Sequence, residues 1–270
     1  MKKIVYSLFA ISLTIGVFAQ EAADRKVQAG LVFGTGVNFQ KSNTKNFKVD
    51  GATANLSVGA VINIGFNNNI GLSTGLEFDF DNLKYTPNVP MFYDYNDTKI
   101  FRNKEDKPTT HSIFKLEKRK QQTIGLTVPT MLIFRTNYMG YFRYFGKFGL
   151  RNNFLLSSKS NDIGTAIDPL ALPLVQEQAE NTGMKLNSGN DMVFYKGSVG
   201  LAGGAEWNFA GATCLALEVG FYYGFTPLYY NPKDDKRVFY TPNSSSTSGR
   251  DYLNNAAHQS QLLFKLSILF

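Results

Sequence analysis

The chain has 270 residues, a formal net charge of +7 and 43% apolar residues, with 23 Phe and 14 Tyr but only one Cys. This composition excludes a helical membrane protein with several spans, since each span needs about 20 apolar residues. The many aromatic residues exclude a disordered chain, and the single Cys excludes an intramolecular disulfide framework or a Cys-rich metal site. The length allows one large all-β domain or two smaller domains.

The N-terminus has the features of a secretory signal peptide. Two lysines precede an apolar stretch from Ile4 to Phe18, and the small residue Ala19 suits the position before a signal-peptidase cleavage site. The alternative is an N-terminal membrane anchor, but the stretch is short for a membrane span. We therefore predict that residues 1–19 are a signal peptide and that residues 20–270 are the exported domain.

The exported part repeats one pattern, in which apolar residues alternate with small polar residues. The pattern is clearest in residues 51–66, where every even position is apolar and most odd positions are Gly, Thr, Asn or Ser. A period of two is typical of a β-strand with two different faces. In chain order, the predicted strands cover residues 27–39, 51–66, 70–83, 121–135, 141–155, 193–209, 213–226 and 259–270.

The connections between these strands alternate in length. Short turns at 67–69, 137–140 and 210–212 alternate with long connections at 40–50, 84–120, 156–192 and 227–258. Short periplasmic turns and long extracellular loops are typical of outer-membrane barrels, and in lipid only a closed sheet pairs every backbone group. The sequence predicts an all-β fold: a transmembrane eight-stranded antiparallel up-and-down β-barrel in the cell outer membrane.

A soluble eight-stranded barrel, such as a lipocalin, is the alternative, because the same alternation occurs there with the apolar face pointing inward. The apolar face of these strands is rich in Phe and Leu. The opposite face is mainly Gly, Ser, Thr and Asn, which fits a crowded interior better than a solvated surface. Together with the alternating loop lengths and the signal peptide, this favours a membrane barrel.

Two strand segments resemble a known family. Residues 124–134, IGLTVPTMLIF, are similar to the "L-x-I-P-L-L-L-x-Y" strand of the PorT-like outer-membrane β-barrels common in Bacteroidetes, and residues 197–207, GSVGLAGGAEW, resemble their "G-x-G-x-G-x-E" strand. The alternating last strand with its terminal Phe270 resembles the signal read by the barrel insertion machinery. The resemblance covers roughly residues 27–270. It implies a barrel fold, and some family members are components of the type IX secretion system.

The interior of such a barrel would contain ionisable residues. An eight-stranded barrel has an interior just wide enough to be filled by side chains. We therefore predict that acids and bases pair there and plug the lumen, with a conducting pore or proton path as the alternative. The predicted lumen residues are Glu77, Asp79, Arg143, Lys147, Arg151, Lys196, Glu206, Glu218 and Lys265.

Basic residues cluster at the outer end of the fourth predicted strand. Lys115, Lys118, Arg119 and Lys120 are candidates for contact with the phosphates of lipopolysaccharide in the outer leaflet. The alternative is a solvated charged loop with Glu117 among its partners. Further along the chain, residues 166–179 are unexpectedly apolar for an exposed loop, which is compatible with packing over the barrel mouth or with docking of a partner.

One arrangement could carry catalysis. His258 and Ser260 lie on the lipid-facing register of the last predicted strand, which resembles outer-membrane lipid A deacylases, where His is the base for a Ser nucleophile. No acid is evidently placed to orient His258. A lipid A-modifying hydrolase is therefore the least favoured of the functions considered.

The sequence favours a non-enzymatic barrel that is a structural or interaction protein, including an accessory of protein secretion as in PorT-like barrels. A small transport or ligand-binding barrel is the main alternative. No metal or cofactor is expected. The expected partners are outer-membrane lipids and lipopolysaccharide, the barrel insertion machinery, and envelope or secretion-system proteins, whereas nucleic acid is not expected.

Overall fold

A computed structural model describes residues 26–103, 107, 109–168, 175–186, 191–210, 213–229, 237–243 and 249–270. The predicted signal peptide lies outside these ranges. In the described part of the chain every regular element is a β-strand. No helix in this part has the length and apolar character needed to cross a membrane.

The described residues form fourteen strands, in contrast to the eight that the alternation predicts. In chain order they are β1 (Val27–Ser42), β2 (Phe47–Val49), β3 (Thr53–Gly65), β4 (Ile70–Pro87), β5 (Met91–Asn96), β6 (Lys99–Phe101), β7 (Ser112–Arg135), β8 (Phe142–Asp168), β9 (Val175–Lys185), β10 (Tyr195–Ala210), β11 (Thr213–Gly224), β12 (Tyr240–Pro242), β13 (Arg250–Tyr252) and β14 (Ala257–Leu269). The predicted count was too low because most of the additional strands are too short for alternation to be recognisable.

Eight long strands pair in a closed ring. The antiparallel order is β1–β3–β4–β7–β8–β10–β11–β14, and β14 pairs with β1 again. The other six strands lie in the long connections, where β2 pairs with β4, β5 with β6 and β7, β9 with β8, and β12 with β13. Closure leaves no unpaired edge in the ring, which is the condition for a sheet to exist in lipid.

The apolar face of the ring points outward. Leu31, Phe33 and Phe78 are 53%, 52% and 44% exposed, whereas Ser57 and Glu77 on the opposite face are buried. A soluble barrel has the reverse arrangement, with its apolar side chains inside. The outward direction of the apolar face therefore favours the membrane barrel over the soluble barrel, a choice that alternation alone cannot make.

Strands β7 and β8 extend far beyond the length that a bilayer requires. They contain 24 and 27 residues, whereas about 9–11 tilted residues cross the hydrocarbon core. Much of the predicted loops 84–120 and 156–192 is therefore strand. The apolar segment 166–179 is also partly strand, in β8 and β9, and its residues 169–174 lie outside the described ranges.

The outer ends of β4, β7 and β8 form, with the six short strands, a second packed region. We call this region the outer domain and define it as the described residues of 43–52, 82–123, 157–192 and 226–256. Its core contains Phe47, Leu83, Tyr85, Met91, Tyr93, Ile100, Phe114, Leu116, Met184, Leu186, Met192, Leu228 and Tyr229. Apolar residues point inward here, so the outer domain folds around its own core above the ring.

Candidate functional site

Charged side chains fill the lumen of the ring in layers. In the layer nearest the short turns, Arg135 Nε donates to Glu206 Oε1 at 3.1 Å and Arg143 Nε donates to Glu206 Oε2 at 2.5 Å. Both guanidinium groups also donate to Gln28 Oε1, at 3.1 Å in each case. The predicted network lacked Arg135, although Arg135 lies on the same alternating, inward-facing positions of β7 as the other lumen residues of that strand.

An apolar layer follows along the same strands. Ile133 on β7 and Phe145 on β8 are buried, and Phe145 lies between the inward-facing charged residues Arg143 and Lys147 of its strand. The sole cysteine, Cys214, is completely buried beside them and acts as a small filler. Along β8, this layer therefore lies between the first charged layer and the next one.

The central layer ties opposite walls of the ring together. Glu77 Oε2 accepts from Arg151 Nη1 at 2.8 Å, and Glu77 Oε1 accepts from Lys265 Nζ at 2.6 Å. Arg151 Nη2 also donates to Asp79 Oδ2 at 2.9 Å. Since Glu77 is on β4, Arg151 on β8 and Lys265 on β14, these bonds span the lumen between strands that are not neighbours.

Two further pairs complete the lumen. Lys147 Nζ donates to Glu218 Oε2 at 2.6 Å, and Lys196 Nζ donates to Asp81 Oδ2 at 3.2 Å. Asp81 was absent from the predicted set, although it shares the inward parity of the other two acids of β4. The structure places each predicted lumen residue in an ion pair: Glu77, Asp79, Arg143, Lys147, Arg151, Lys196, Glu206, Glu218 and Lys265.

A small cavity lies beside the central layer. Its volume is about 30 Å³, and its lining includes Asp79, Asp81, Asn153 and Gln259. A space of this size has room for about two water molecules. Asn153 Oδ1 and Gln259 Oε1 are buried acceptors without a hydrogen-bond partner among the described residues, and such groups suit bound water. The cavity is therefore far smaller than a channel for solutes.

Arg119 is the buried cation of the outer domain. Its side chain is 1% exposed, its Nε donates to Asp162 Oδ1 at 2.7 Å, and Tyr93 Oη donates to Asp162 Oδ2 at 2.8 Å. The prediction that Arg119 contacts lipopolysaccharide is therefore wrong. Adjacent strand residues face opposite sides, so Arg119 points inward while Lys118 and Lys120 on either side of it point outward.

The electrostatics of this buried group follow from its surroundings. Burial lowers the pKa of Arg119, but the charge and hydrogen bonds of Asp162, together with nearby Tyr85 and Tyr93, outweigh burial and hold that pKa well above its usual value. Burial, with the charge of Asp162, raises the pKa of Tyr93. The guanidinium therefore remains charged and the phenol remains a donor, and both stabilise the Asp162 carboxylate.

Asp94 joins the loops at the top of the outer domain. Its Oδ2 accepts from Arg250 Nη1 at 2.6 Å and also pairs with Lys107, while its Oδ1 accepts from Tyr240 Oη at 3.0 Å. Burial raises the pKa of Asp94, but the hydrogen bonds and charges of Arg250 and Lys107 together outweigh burial and hold that pKa below its usual value. One carboxylate thus connects β5 to β12 and β13.

Residues 18–230 match the family described as the outer membrane protein beta-barrel domain. The chain belongs to this family. It is accordingly a protein of the cell outer membrane, and the outward apolar face of its ring is the surface that such a location requires.

Solved structures of outer-membrane proteins are also similar to this chain. Ail of Yersinia pestis, solved in complex with the heparin analogue sucrose octasulfate, has 12% identity and a TM-score of 0.32, with 91% of this chain and 100% of that chain covered. OprG of Pseudomonas aeruginosa has 10% identity, a TM-score of 0.39, and coverage of 93% and 96%. The protease OmpT of Escherichia coli has 9% identity, a TM-score of 0.35, and coverage of 94% and 99%. A search of curated proteins found no match.

Among the described residues, no acid orients His258 toward Ser260 as the third group of a catalytic triad would. His258 is half-buried opposite Lys41, and its Nδ1 is buried without a hydrogen-bond partner among the described residues. A triad needs an acid at this nitrogen to orient the imidazole. Nor do the described residues include a cluster of three His, Cys, Asp or Glu side chains that could hold a metal ion.

Proposed function

We propose that this protein is a non-enzymatic interaction protein of the outer membrane, in which the eight-stranded ring spans the bilayer and the outer domain binds other proteins. The observation that carries the proposal is the division of the molecule into two packed parts. The ring has a lumen crossed by ion pairs, and the outer domain has an apolar core of its own.

The exposed side chains of the ring support its role as the membrane anchor. Phe66, Tyr141 and Phe209 are 63%, 72% and 66% exposed near the short turns, and Phe194 and Phe225 are exposed near the opposite end. Aromatic residues at both limits of an apolar band are typical of barrels that sit in a bilayer. The short turns would then face the periplasm and the outer domain the cell exterior.

The filled lumen supports an anchor rather than a transporter. A conducting barrel needs a continuous water path, whereas Glu77 bonds to cations on two other strands and the layer around Phe145 is apolar. Charges that are paired across a lumen neutralise one another and hold the walls at fixed separation. The small transport barrel considered from the sequence would require this network to open.

The outer domain supports binding of a protein partner. Its core fixes the positions of the strands that carry its surface, so a partner would meet a preorganised surface with a small ordering cost. Envelope or secretion-system proteins are the partners that fit an outer-membrane location. The resemblance to PorT-like barrels supports the more specific role of an accessory of protein secretion.

A crosslinking experiment in intact cells tests the interaction role. A photoreactive amino acid is placed at exposed Gln176 on β9, and the matched control carries it at Asn68 in a short turn. We expect protein adducts from position 176 that are absent from position 68. Adducts at neither position, or the same adducts at both, would contradict a binding role for the outer domain.

Two measurements on the purified protein test the anchor. A folded barrel should migrate differently in boiled and unboiled samples on a detergent gel, and planar bilayers containing the protein should show no steady conductance. An absent gel shift would contradict the membrane-spanning ring. A steady conductance would contradict the sealed lumen and favour the transport alternative.

A further inference from the structure

Two lysines face each other on the outside of the outer domain. Lys84 on β4 and Lys120 on β7 are direct cross-strand neighbours, and both side chains point outward. Neither has an ion-pair partner among the described residues. Like charges placed directly opposite one another destabilise a sheet, because their Cβ atoms are only about 5 Å apart. The pair therefore suits an anion supplied from outside the chain.

Further lysines extend this patch in both directions. Lys118 lies two residues beyond Lys120 on β7, and Lys159 on β8 pairs with Gln122, two residues nearer the ring. All are outward-facing positions on three adjacent strands. The patch thus combines positive charges over about 14 Å along the strands, at roughly 3.4 Å per residue.

A groove provides space for a ligand between these side chains. Its volume is about 300 Å³, and its lining includes Lys84, Lys118 and Lys120 together with Ile163 and Glu180. Asp162 also lines the groove, but its carboxylate is already bound by Arg119. Glu180 is the exposed acid of the lining, so the groove remains predominantly cationic.

The height of the patch matches that of lipid phosphates. Phe80 and Ile124 are each 38% exposed and belong to the outer limit of the apolar band. Lys84 and Lys120 are four residues farther out on the same strands, which is about 10 Å above that limit for strands tilted by roughly 40°. The polar headgroup zone extends about 5–8 Å beyond the hydrocarbon, so the long lysine side chains reach the lipid phosphates by bending back toward the membrane.

We infer that Lys84, Lys118, Lys120 and Lys159 bind the phosphate groups of lipopolysaccharide in the outer leaflet. The inference rests on the proposed membrane-spanning ring. It changes the set expected from the sequence, since Arg119 is buried, Lys115 lies five residues beyond Lys120, and Lys84 and Lys159 come from other strands. A bound phosphate would relieve the repulsion between Lys84 and Lys120.

Binding of lipid A to the folded full-length protein in detergent tests this inference. The probe is lipid A with both phosphates, and binding is followed by native mass spectrometry at several salt concentrations. We expect K84Q or K120Q to weaken binding about threefold and the double variant about tenfold, as for exposed ion pairs of under 1 kcal/mol each. Binding should weaken with added salt, because exposed charges are screened.

The matched control removes two charges elsewhere on the rim. K41Q/K45Q changes two exposed lysines near the outer end of β1, which have no ion pair among the described residues. We expect its affinity for lipid A to remain that of the unmodified protein. Equal losses in the control and in K84Q/K120Q would indicate a general charge effect and would contradict a specific site.

A stability measurement separates binding from a structural role. K120E places opposite charges at the cross-strand position, so the lipid-free protein should unfold at a higher temperature while its affinity for lipid A falls. Unchanged affinity in K84Q/K120Q, or equal binding of lipid A that lacks both phosphates, would overturn the inference. Loss of the gel shift in the unmodified protein would instead contradict the proposed anchor.

Discussion

The ring and the outer domain use the same strands with opposite patterns. On β7, Ile124 and Phe134 point outward in the ring, whereas Phe114 and Leu116 are buried in the outer domain. Strand β4 changes in the same way: Phe80 points outward in the ring, whereas Leu83 is buried in the outer domain. The outward face matches the medium around it, which is lipid for the ring and water for the outer domain. The point at which the apolar side chains of a strand change from the outward to the inward face marks the membrane boundary.

The two regions also differ in how their interiors are held together. The lumen depends on ion pairs, several of them between strands that are not neighbours, while the outer domain has an apolar core with the Arg119–Asp162 pair buried in it. A buried pair contributes little compared with an apolar replacement, but loss of one partner leaves an unpaired charge and is costly. Removal of a buried charge should therefore destabilise the ring in one region and only the outer domain in the other.

The largest effect is expected for Glu77→Gln in the ring. Glu77 binds both Arg151 and Lys265, so its neutralisation leaves two buried cations with fewer partners. We expect the free energy of unfolding to fall by about 3–5 kcal/mol, as for other broken buried pairs. Urea unfolding in lipid vesicles, followed by fluorescence of Trp207, measures this change. The exposed control Glu117→Gln should behave like the unmodified protein, and equal midpoints for all three proteins would contradict the network.

Arg119→Met should have a smaller effect, confined to the outer domain. The substitution leaves Asp162 with the Tyr93 hydrogen bond alone. We expect a loss of about 3 kcal/mol in local stability, at the lower end of the range for a buried pair. Limited proteolysis should then cleave within β9 while the gel shift of the ring persists. Lys115→Met, at an exposed position of the same strand, is the control, and simultaneous loss of the gel shift would show that the regions are not independent.

Two arginine substitutions, one in the ring and one in the outer domain, test which part of the protein lies in the membrane. Leu76 is 53% exposed in the middle of the ring part of β4, and Leu76→Arg should cost about 2–4 kcal/mol if this face contacts the bilayer midplane. Gln176→Arg, at an exposed position of the outer domain, should change stability by only about 0.5 kcal/mol or less. Equal costs in vesicle unfolding would place both residues in the same medium.

The smallest effect is expected from acid. The pKa of Asp94 lies below that of the unfolded chain, so its contribution to stability is complete above about pH 3.9 and is lost as the pH falls through the lower folded value. Hydrogen exchange of β12 and β13 should therefore accelerate in acid before the ring responds. Asp94→Asn should show fast exchange already at neutral pH and little further change, and parallel acid responses in the two proteins would exclude Asp94 as the cause.

The ring was predictable because its pattern is long and regular. Each of its strands contains an alternating run. The alternation that places Glu77 on the inward face also places Asp81 and Arg135 there, so the sequence alone could have included both residues in the lumen set. The outer domain was less predictable. Its additional strands are mostly three residues long, and the bulge between Leu116 and Lys118 changes the phase of β7.

The sequence by itself determined that the protein is an all-β barrel, because long strands that alternate between a Phe-rich and a Gly-rich face are compatible with few folds other than a closed sheet. It also identified most of the charged residues of the lumen, all but Asp81 and Arg135, since the face on which a side chain lies follows from local strand geometry. Only the tertiary structure decided which charges meet, that Arg119 is buried, and that Lys84 faces Lys120. These contacts join strands that are distant in the chain, and their positions depend on how the ring closes and where the outer domain packs.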